Sequence, residues 1–198
     1  LSGIYSVATV FGFIAMGIGG AIGETKRITK QILVIGVSLF VVCYGLFALS
    51  LGHKPLFYAG VIIFFIGFNL HEPILQSMAS KFSKVSQKGA VLGIFNAFGY
   101  MGSFIGGIGG GTLLKFYGLS ALSAVVTVLC VVWLIALKWL DNPNIFKNIY
   151  LPSDTDADLA EIEKQKGVVE CYKNAQNLVV KYNSKLTNEA EIKRILGV

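Results

Sequence analysis

The sequence predicts an α-helical polytopic membrane protein with five membrane-spanning helices, followed by a small α+β domain. Hydrophobic residues make up 54% of the 198 residues and charged residues only 14%, against about 25% charged in a soluble domain. Charge is also unevenly divided. Residues 1–140 carry nine Lys/Arg and two acidic residues, whereas residues 141–198 carry eight Lys/Arg and nine acidic residues. The composition therefore changes from one suited to lipid to one suited to water near residue 140.

Five long apolar runs match the length of a helix that crosses a membrane, because about 20 helical residues span the hydrocarbon layer. The predicted spans cover residues 1–23, 31–52, 56–81, 89–114 and 116–137. Basic residues cluster after the first, third and fifth spans. The positive-inside rule therefore predicts that these connections and the C-terminal domain are cytoplasmic.

Several classes of function are disfavoured by the same composition. The basic residues lie in short clusters between apolar runs, which is typical of membrane loops and not of nucleic-acid binding. Cys43, Cys130 and Cys171 are scattered singly, so we expect no metal site and no disulfide, and nothing indicates a cofactor. The chain opens inside an apolar run without Met, from which we expect that an N-terminal part is missing.

The third predicted span carries the first candidate site. Asn69, Glu72 and Gln76 share one helical face with Ser80, and Pro73 permits a bend beside them. An intramembrane carboxylate costs about 3 kcal/mol and is usually retained for function. We therefore expect Glu72 to carry a proton, the alternative being a structural ion pair with another helix. Asn69 and Gln76 are expected to line a substrate cavity.

Three further groups of residues complete the candidate sites. His71 lies about 100° around the helix from Glu72; it is a candidate for proton coupling, with packing or a structural hydrogen bond as the alternative. In the fourth span, Asn96 and Tyr100 are candidates for substrate contact, or else for hydrogen bonds between helices. The small-xxx-small spacing of Gly102, Gly106 and Gly110 predicts close helix packing.

The C-terminal part is predicted to form a β-α-β-β-α unit after a linker at residues 141–144. Strands are predicted at Asn148–Leu151, Val168–Tyr172 and Leu178–Tyr182, and a helix at about Asp156–Lys166. A second helix follows Asn188 as N-cap, with Glu191 at the capping-box position and Ile192, Ile195 and Leu196 on its apolar face. Residues 145–198 are therefore predicted to form a ferredoxin-like domain that lacks its last strand.

Three segments carry a family resemblance: Gly-Ala-Ile-Gly-Glu-Thr-Lys-Arg at 20–27, Gly-Phe-Asn-Leu-His-Glu-Pro at 67–73, and Lys-Gly-Ala-Val-Leu-Gly at 88–93. Together they resemble the C-terminal half of a major facilitator superfamily (MFS) transporter, in the YajR-like drug:proton antiporter branch. The resemblance implies that the five spans are helices 8 to 12 of a partial MFS bundle and that the N-terminal half of the same chain is missing. It also implies that Glu24, Lys26 and Arg27 form a cytoplasmic gate and that residues 145–198 are a YAM domain.

The leading functional hypothesis is proton-coupled efflux of small molecules by alternating access, in a bacterial inner membrane with the C-terminus in the cytoplasm. The expected partners are a small-molecule substrate, protons and the lipid bilayer. The alternative is a non-transporting, membrane-anchored sensor or scaffold that presents the ferredoxin-like domain. No nucleophile, base and orienting group fall together, so the sequence does not predict an enzyme.

Overall fold

The computed structural model describes residues 2–153 and 158–195, which form two compact units. The membrane unit consists of Leu1–Ala79 and Leu92–Asn142, and the tail unit consists of Ser80–Val91 and Pro143–Val198. The connection after the third helix thus belongs to the tail unit. The last boundary along the chain, between Asn142 and Pro143, falls within the predicted linker.

The first three helices are α1 (Ser2–Thr25), α2 (Thr29–Leu49) and α3 (Lys54–Phe82). Glycines bring them together, because a residue without Cβ lets two backbones approach closely. A Cβ atom at Gly67 of α3 would lie 3.0 Å from the carbonyl oxygen of Gly36 on α2. At Gly12 of α1, a Cβ atom would collide with the Asn69 amide of α3. Helix α3 therefore packs against both of its predecessors.

Helix α4 (Lys88–Ala136) is 49 residues long and is broken at Gly118, whose φ of 78° and ψ of 179° are not helical. Its length of about 74 Å, at about 1.5 Å per residue, exceeds twice the ~30 Å hydrocarbon layer. The described residues contain four helices long and apolar enough to cross a membrane, and α4 is one of them. The break comes three residues after Lys115, where the fourth and fifth spans were expected to separate. Five crossings remain a prediction.

The tail unit holds a three-stranded antiparallel sheet with two short helices, in the predicted order. Its elements are β1 (Phe146–Pro152), α5 (Leu159–Glu163), β2 (Val168–Lys173), β3 (Asn177–Asn183) and α6 (Glu189–Ile195). The strand order is β1-β3-β2, with Val180 of β3 opposite Ile149 on one side and Cys171 on the other. The predicted α+β fold is confirmed. Its connectivity is that of a ferredoxin-like unit without its last strand.

Local hydrogen bonds explain where the tail helices begin. The Asp158 carboxylate accepts the Ala160 N–H at 2.9 Å, and the Asn188 side chain accepts the Glu191 N–H at 2.8 Å, as expected for N-caps. Helix α5 is shorter than the predicted 156–166 segment, and Gly167 follows it with a φ of 92° that favours glycine. Asp156 and Leu196 of the predicted helices lie outside the described residues.

The two faces of the sheet differ in character. Leu178, Val180 and Tyr182 alternate along β3 and, with Ile162 of α5 and Ile192 of α6, belong to a buried apolar core. This side is called the core face. The residues between them point to the opposite side, the outer face, because side chains alternate along a strand.

We predict that Gly118→Ala destabilises the protein by about 1–3 kcal/mol, because a Cβ atom is strained at this backbone conformation. Thermal unfolding of the detergent-solubilised full-length protein measures the effect. Gly45→Ala is the matched control, since Gly45 is helical and a Cβ atom there would meet no other described atom within 4 Å. An equal effect of both substitutions would contradict the break at Gly118.

We predict that the Cys171 thiol is unreactive at neutral pH. Burial first, and the Glu163 carboxylate second, raise its pKa to about 11, so the reactive thiolate is scarce until the pH approaches that value. Mass spectrometry after N-ethylmaleimide treatment should find Cys171 unmodified at pH 7 to 9. Ser184→Cys, at an exposed position of the same domain, should react readily. Rapid labelling of Cys171 at pH 7 would refute its burial.

Candidate functional site: a polar cavity between two helices

A cavity of about 620 Å³ lies between α3 and α4 in the membrane unit. Its polar lining combines one face of each helix: His71, Glu72, Gln76, Asn96, Tyr100 and Ser103. Phe68, Leu75 and Phe95 supply apolar wall. The packing of two helices therefore brings together six predicted site residues: His71, Glu72, Gln76, Asn96, Tyr100 and Gly102.

Glu72, Gln76 and Asn96 are exposed within the described structure, and Tyr100 is exposed at 77% of its surface. Glu72 and Gln76 are one helical turn apart, so their polar groups follow one stripe of α3. Pro73 lies inside α3 beside them and has no N–H to donate to the carbonyl four residues earlier. The carboxylate thus borders a weakened point of the helix.

His71 takes part both in the cavity and in helix packing. It is half-buried and lines the cavity beside Glu72. Its ring also meets Phe40 of α2 edge-on, with ring centres 5.6 Å apart, and a Cβ atom at Gly36 would lie 3.3 Å from the His71 Cβ. His71 therefore packs against α2, and its role in proton coupling stays a prediction.

Asn69 lies elsewhere than expected. Its side-chain amide donates to the Phe65 carbonyl at 2.8 Å and sits against Gly12 of α1. It is not among the described residues that line the cavity. The helical period predicted Asn69 on the same face as Glu72. Because α1 approaches α3 closely at Gly12, Asn69 instead lies in the α1–α3 contact.

The predicted gate residues lie at the end of α1 and in the turn before α2. Glu24 accepts a hydrogen bond from the Ser77 hydroxyl of α3 at 3.3 Å. Lys26 and Arg27 follow, and Arg27 has a φ of 56°, which is uncommon for a residue other than glycine. The Arg27 carbonyl accepts the Asn142 amide at 3.4 Å. The turn and the segment after α4 therefore meet at one end of the membrane unit.

The glycines of α4 have a different environment from those of α1 to α3. Cβ atoms added at Gly102 and Gly106 would meet no described atom within 4 Å, and one at Gly110 would meet only Leu122, at 3.7 Å. Their role in helix packing stays a prediction.

In the tail unit, a second arrangement joins the outer face of the sheet to the connection between α3 and α4. Glu170 of β2 is only 5% exposed. Its carboxylate accepts the Val85 N–H at 2.6 Å, and both the N–H and the hydroxyl of Ser86 at 3.4 Å. Val85 begins a 3-10 turn that leads into α4. A negative charge therefore pairs with the free N–H groups at the start of a helical segment.

Lys181 of β3 pairs in a similar way with backbone groups at the end of α3, but its charge is positive. It is 7% exposed, and its ammonium group donates to the carbonyl oxygens of Lys81 at 2.7 Å and Ser83 at 2.6 Å. These carbonyls lie at the C-terminus of α3, where unpaired acceptors and the negative end of the helix dipole favour a cation. Glu170 and Lys181 are direct cross-strand partners. We call these two residues and their bonds the clasp.

Sequence reasoning missed the clasp. Glu170 and Lys181 each occupy a strand, where a charged residue ordinarily lies on a solvated face. The available signal was that both lie between apolar neighbours, Val169 and Cys171 for one, Val180 and Tyr182 for the other. Their partners are 84 to 100 positions away along the chain, so no local pattern indicates them.

The comparisons with known proteins agree with a transporter. The sequence profile of the Major Facilitator Superfamily matches residues 1–175. The chain is 28% identical over 180 residues to the inner membrane transport protein YajR of Escherichia coli, covering 87% of this chain and 40% of that protein. It is 36% identical over 98 residues to an uncharacterized transporter of Buchnera aphidicola, covering 49% of this chain and 25% of that protein.

A third relative, the uncharacterized MFS-type transporter YttB of Bacillus subtilis, is 30% identical over 103 residues, or 52% of this chain and 26% of that protein. The chain thus spans well under half the length of each of these relatives. Because the family profile matches most of it, the chain belongs to the Major Facilitator Superfamily, a class of integral membrane transporters.

We predict that Glu170→Ala exposes the start of α4 to solvent. The Val85 and Ser86 amides lose a charged acceptor, and a hydrogen bond to a charged group contributes about 1.5–3 kcal/mol. Hydrogen–deuterium exchange of the 83–88 segment, measured by mass spectrometry on the full-length protein, should become at least about tenfold faster. Glu161→Ala, at an exposed position of α5, is the control and should leave exchange of this segment unchanged. Equal exchange in both variants would refute the clasp.

Proposed function

We propose that this chain forms the C-terminal part of a proton-coupled exporter of small molecules that works by alternating access, with its C-terminus in the cytoplasm of a bacterial cell. The observation that carries this proposal is the cavity between α3 and α4. It combines one carboxylate, several neutral hydrogen-bonding groups and aromatic wall in helices that also meet the length and composition of membrane spans.

Glu72 is the proton carrier in this proposal. It is the one acidic residue among the described residues that line the cavity, and it is exposed to that cavity. A carboxylate that faces a water-filled cavity inside a bundle is the usual form of an intramembrane proton site. Protonation removes its charge, so proton and a cationic or polar substrate compete for the same group. This competition is the basis of exchange transport.

Gln76, Asn96 and Tyr100 contact the substrate in this proposal. Their amide and hydroxyl groups both donate and accept hydrogen bonds, while Phe68 and Phe95 cover apolar surface. A lining of this kind suits a small, largely apolar compound with a few polar or cationic groups. The bend allowed by Pro73 lets α3 adjust around it.

Glu24, Lys26 and Arg27 form the cytoplasmic gate in this proposal. Glu24 already bonds to α3 through Ser77 at 3.3 Å, so a movement of α3 changes the environment of the turn. Alternating access requires such contacts to break and re-form as two halves of a transporter rock about the central site.

We predict that Glu72→Gln uncouples transport from the proton gradient. The amide keeps the size of the side chain but does not exchange a proton, so efflux driven by a pH gradient should fall at least about tenfold. The affinity for substrate should change by a smaller factor than gradient-driven efflux does. The measurement is efflux from proteoliposomes containing the full-length protein, with and without an imposed pH gradient. Glu161→Gln, the same chemical change on the tail surface, should retain the gradient dependence.

Two outcomes would decide against the proposal. Unchanged gradient dependence in Glu72→Gln would remove Glu72 from proton coupling. If the unaltered protein moves none of a panel of apolar cations and gradient-driven solutes, while its tail domain binds a cytoplasmic partner, the sensor or scaffold alternative is correct.

A further inference from the structure

A second cavity, of about 390 Å³, lies within the tail unit, between the outer face of the sheet and the segment that joins α3 to α4. Lys81 comes from the last turn of α3, Val85 from the segment that joins the helices and Lys88 from the start of α4. Asn148, Tyr150, Tyr172 and Lys181 come from the three strands. The clasp fixes the wall that Lys181 forms, because two carbonyl oxygens at 2.6 and 2.7 Å hold its ammonium group. The cavity is therefore bounded on both sides by ordered groups.

The charged side chains among the described lining residues are all basic. Three lysines border the cavity, and none of its described lining residues is acidic. Glu170 pairs with Lys181 in register, but its carboxylate oxygens are bonded to Val85 and Ser86. Burial first, and then the Lys88 ammonium group, lower the pKa of Lys181, while Glu170 opposes the shift. Two ammonium groups thus lie close enough to repel, and an anion between them would offset that repulsion.

The neutral groups of the lining are donors suited to oxygen anions. The Asn148 amide donates to the Tyr150 hydroxyl at 3.3 Å, which leaves the hydroxyl proton of Tyr150 available to a ligand. Tyr172 lies on the same face, because Tyr150 and Tyr172 both pair with Val179 of β3, one from each neighbouring strand. Lysine ammonium and tyrosine hydroxyl groups together bind the several oxygens of a phosphate by charge-assisted hydrogen bonds.

We propose that this cavity is a binding site for a phosphate group, held by Lys88 and Lys181 with Tyr150 and Tyr172 as neutral donors. Its volume accommodates a phosphate with a small attached group. The same chemistry is available from a soluble phosphate or phosphate ester and from the phosphodiester of an anionic lipid. A phosphate bound there would bridge the sheet and the start of α4. This contact would add to those of the clasp and would be present only when the ligand is bound.

The test uses the full-length protein in phosphatidylcholine nanodiscs, with inorganic phosphate titrated against chloride at constant ionic strength. A soluble phosphate site gives a saturable rise in the thermal unfolding temperature. A second preparation in nanodiscs containing phosphatidylglycerol provides the lipid arm. If the lipid supplies the phosphate, the temperature rises there and added phosphate has little further effect.

Two variants and one control decide the result. Lys88→Gln removes one charge without touching the bonds of the clasp, and Tyr172→Phe removes one hydroxyl donor without changing any charge. In each variant, the phosphate concentration that gives half of the rise in unfolding temperature should increase about tenfold, as expected for loss of a hydrogen bond to a charged group. Lys164→Gln, at an exposed position at the end of α5, should respond like the unaltered protein. If neither arm shows a response, or if all three variants respond alike, the site does not exist.

Discussion

The ends of helices leave backbone groups without partners, and the junction of α3 and α4 depends on side chains of the tail domain to supply them. Lys181 pairs with carbonyls at the end of α3, and Glu170 pairs with N–H groups just before α4. Each charge has the sign that the local helix end favours. Burying either residue alone would be costly, because an unpaired buried charge is strongly destabilising. Together with the helix ends they form a satisfied network.

The clasp lies at the ends of α3 and α4, the two helices whose middle parts line the polar cavity. Residues 80–82 are the last of α3 and residues 88–91 the first of α4, and both stretches belong to the tail unit. Farther along the same two helices, Glu72 and Tyr100 line the cavity. A change in the clasp therefore changes the bonds at the end of α3 and just before α4.

The glycines show how this helix bundle is assembled. Gly36 and Gly67 bring the α2 and α3 backbones together, and Gly12 admits the Asn69 amide at the α1–α3 contact. Apolar burial does not drive association between helices in lipid. The helices therefore associate through close packing at small residues. On α4, a Cβ atom at Gly106 would meet no described atom within 4 Å, and the packing role of this glycine stays a prediction. Glycine thus allows the close contacts among α1, α2 and α3.

The sequence by itself determined the membrane class, most of each helix, the polar stripes around Glu72 and Asn96, and the order of strands and caps in the tail. These features follow from local periodicity and from residues a few positions apart. Only the tertiary structure decided that Asn69 belongs to the α1–α3 contact, and that charged residues of the sheet bond to helix ends 84 to 100 positions away. Their free energy comes from groups that meet only after folding, so no local pattern of residues encodes them.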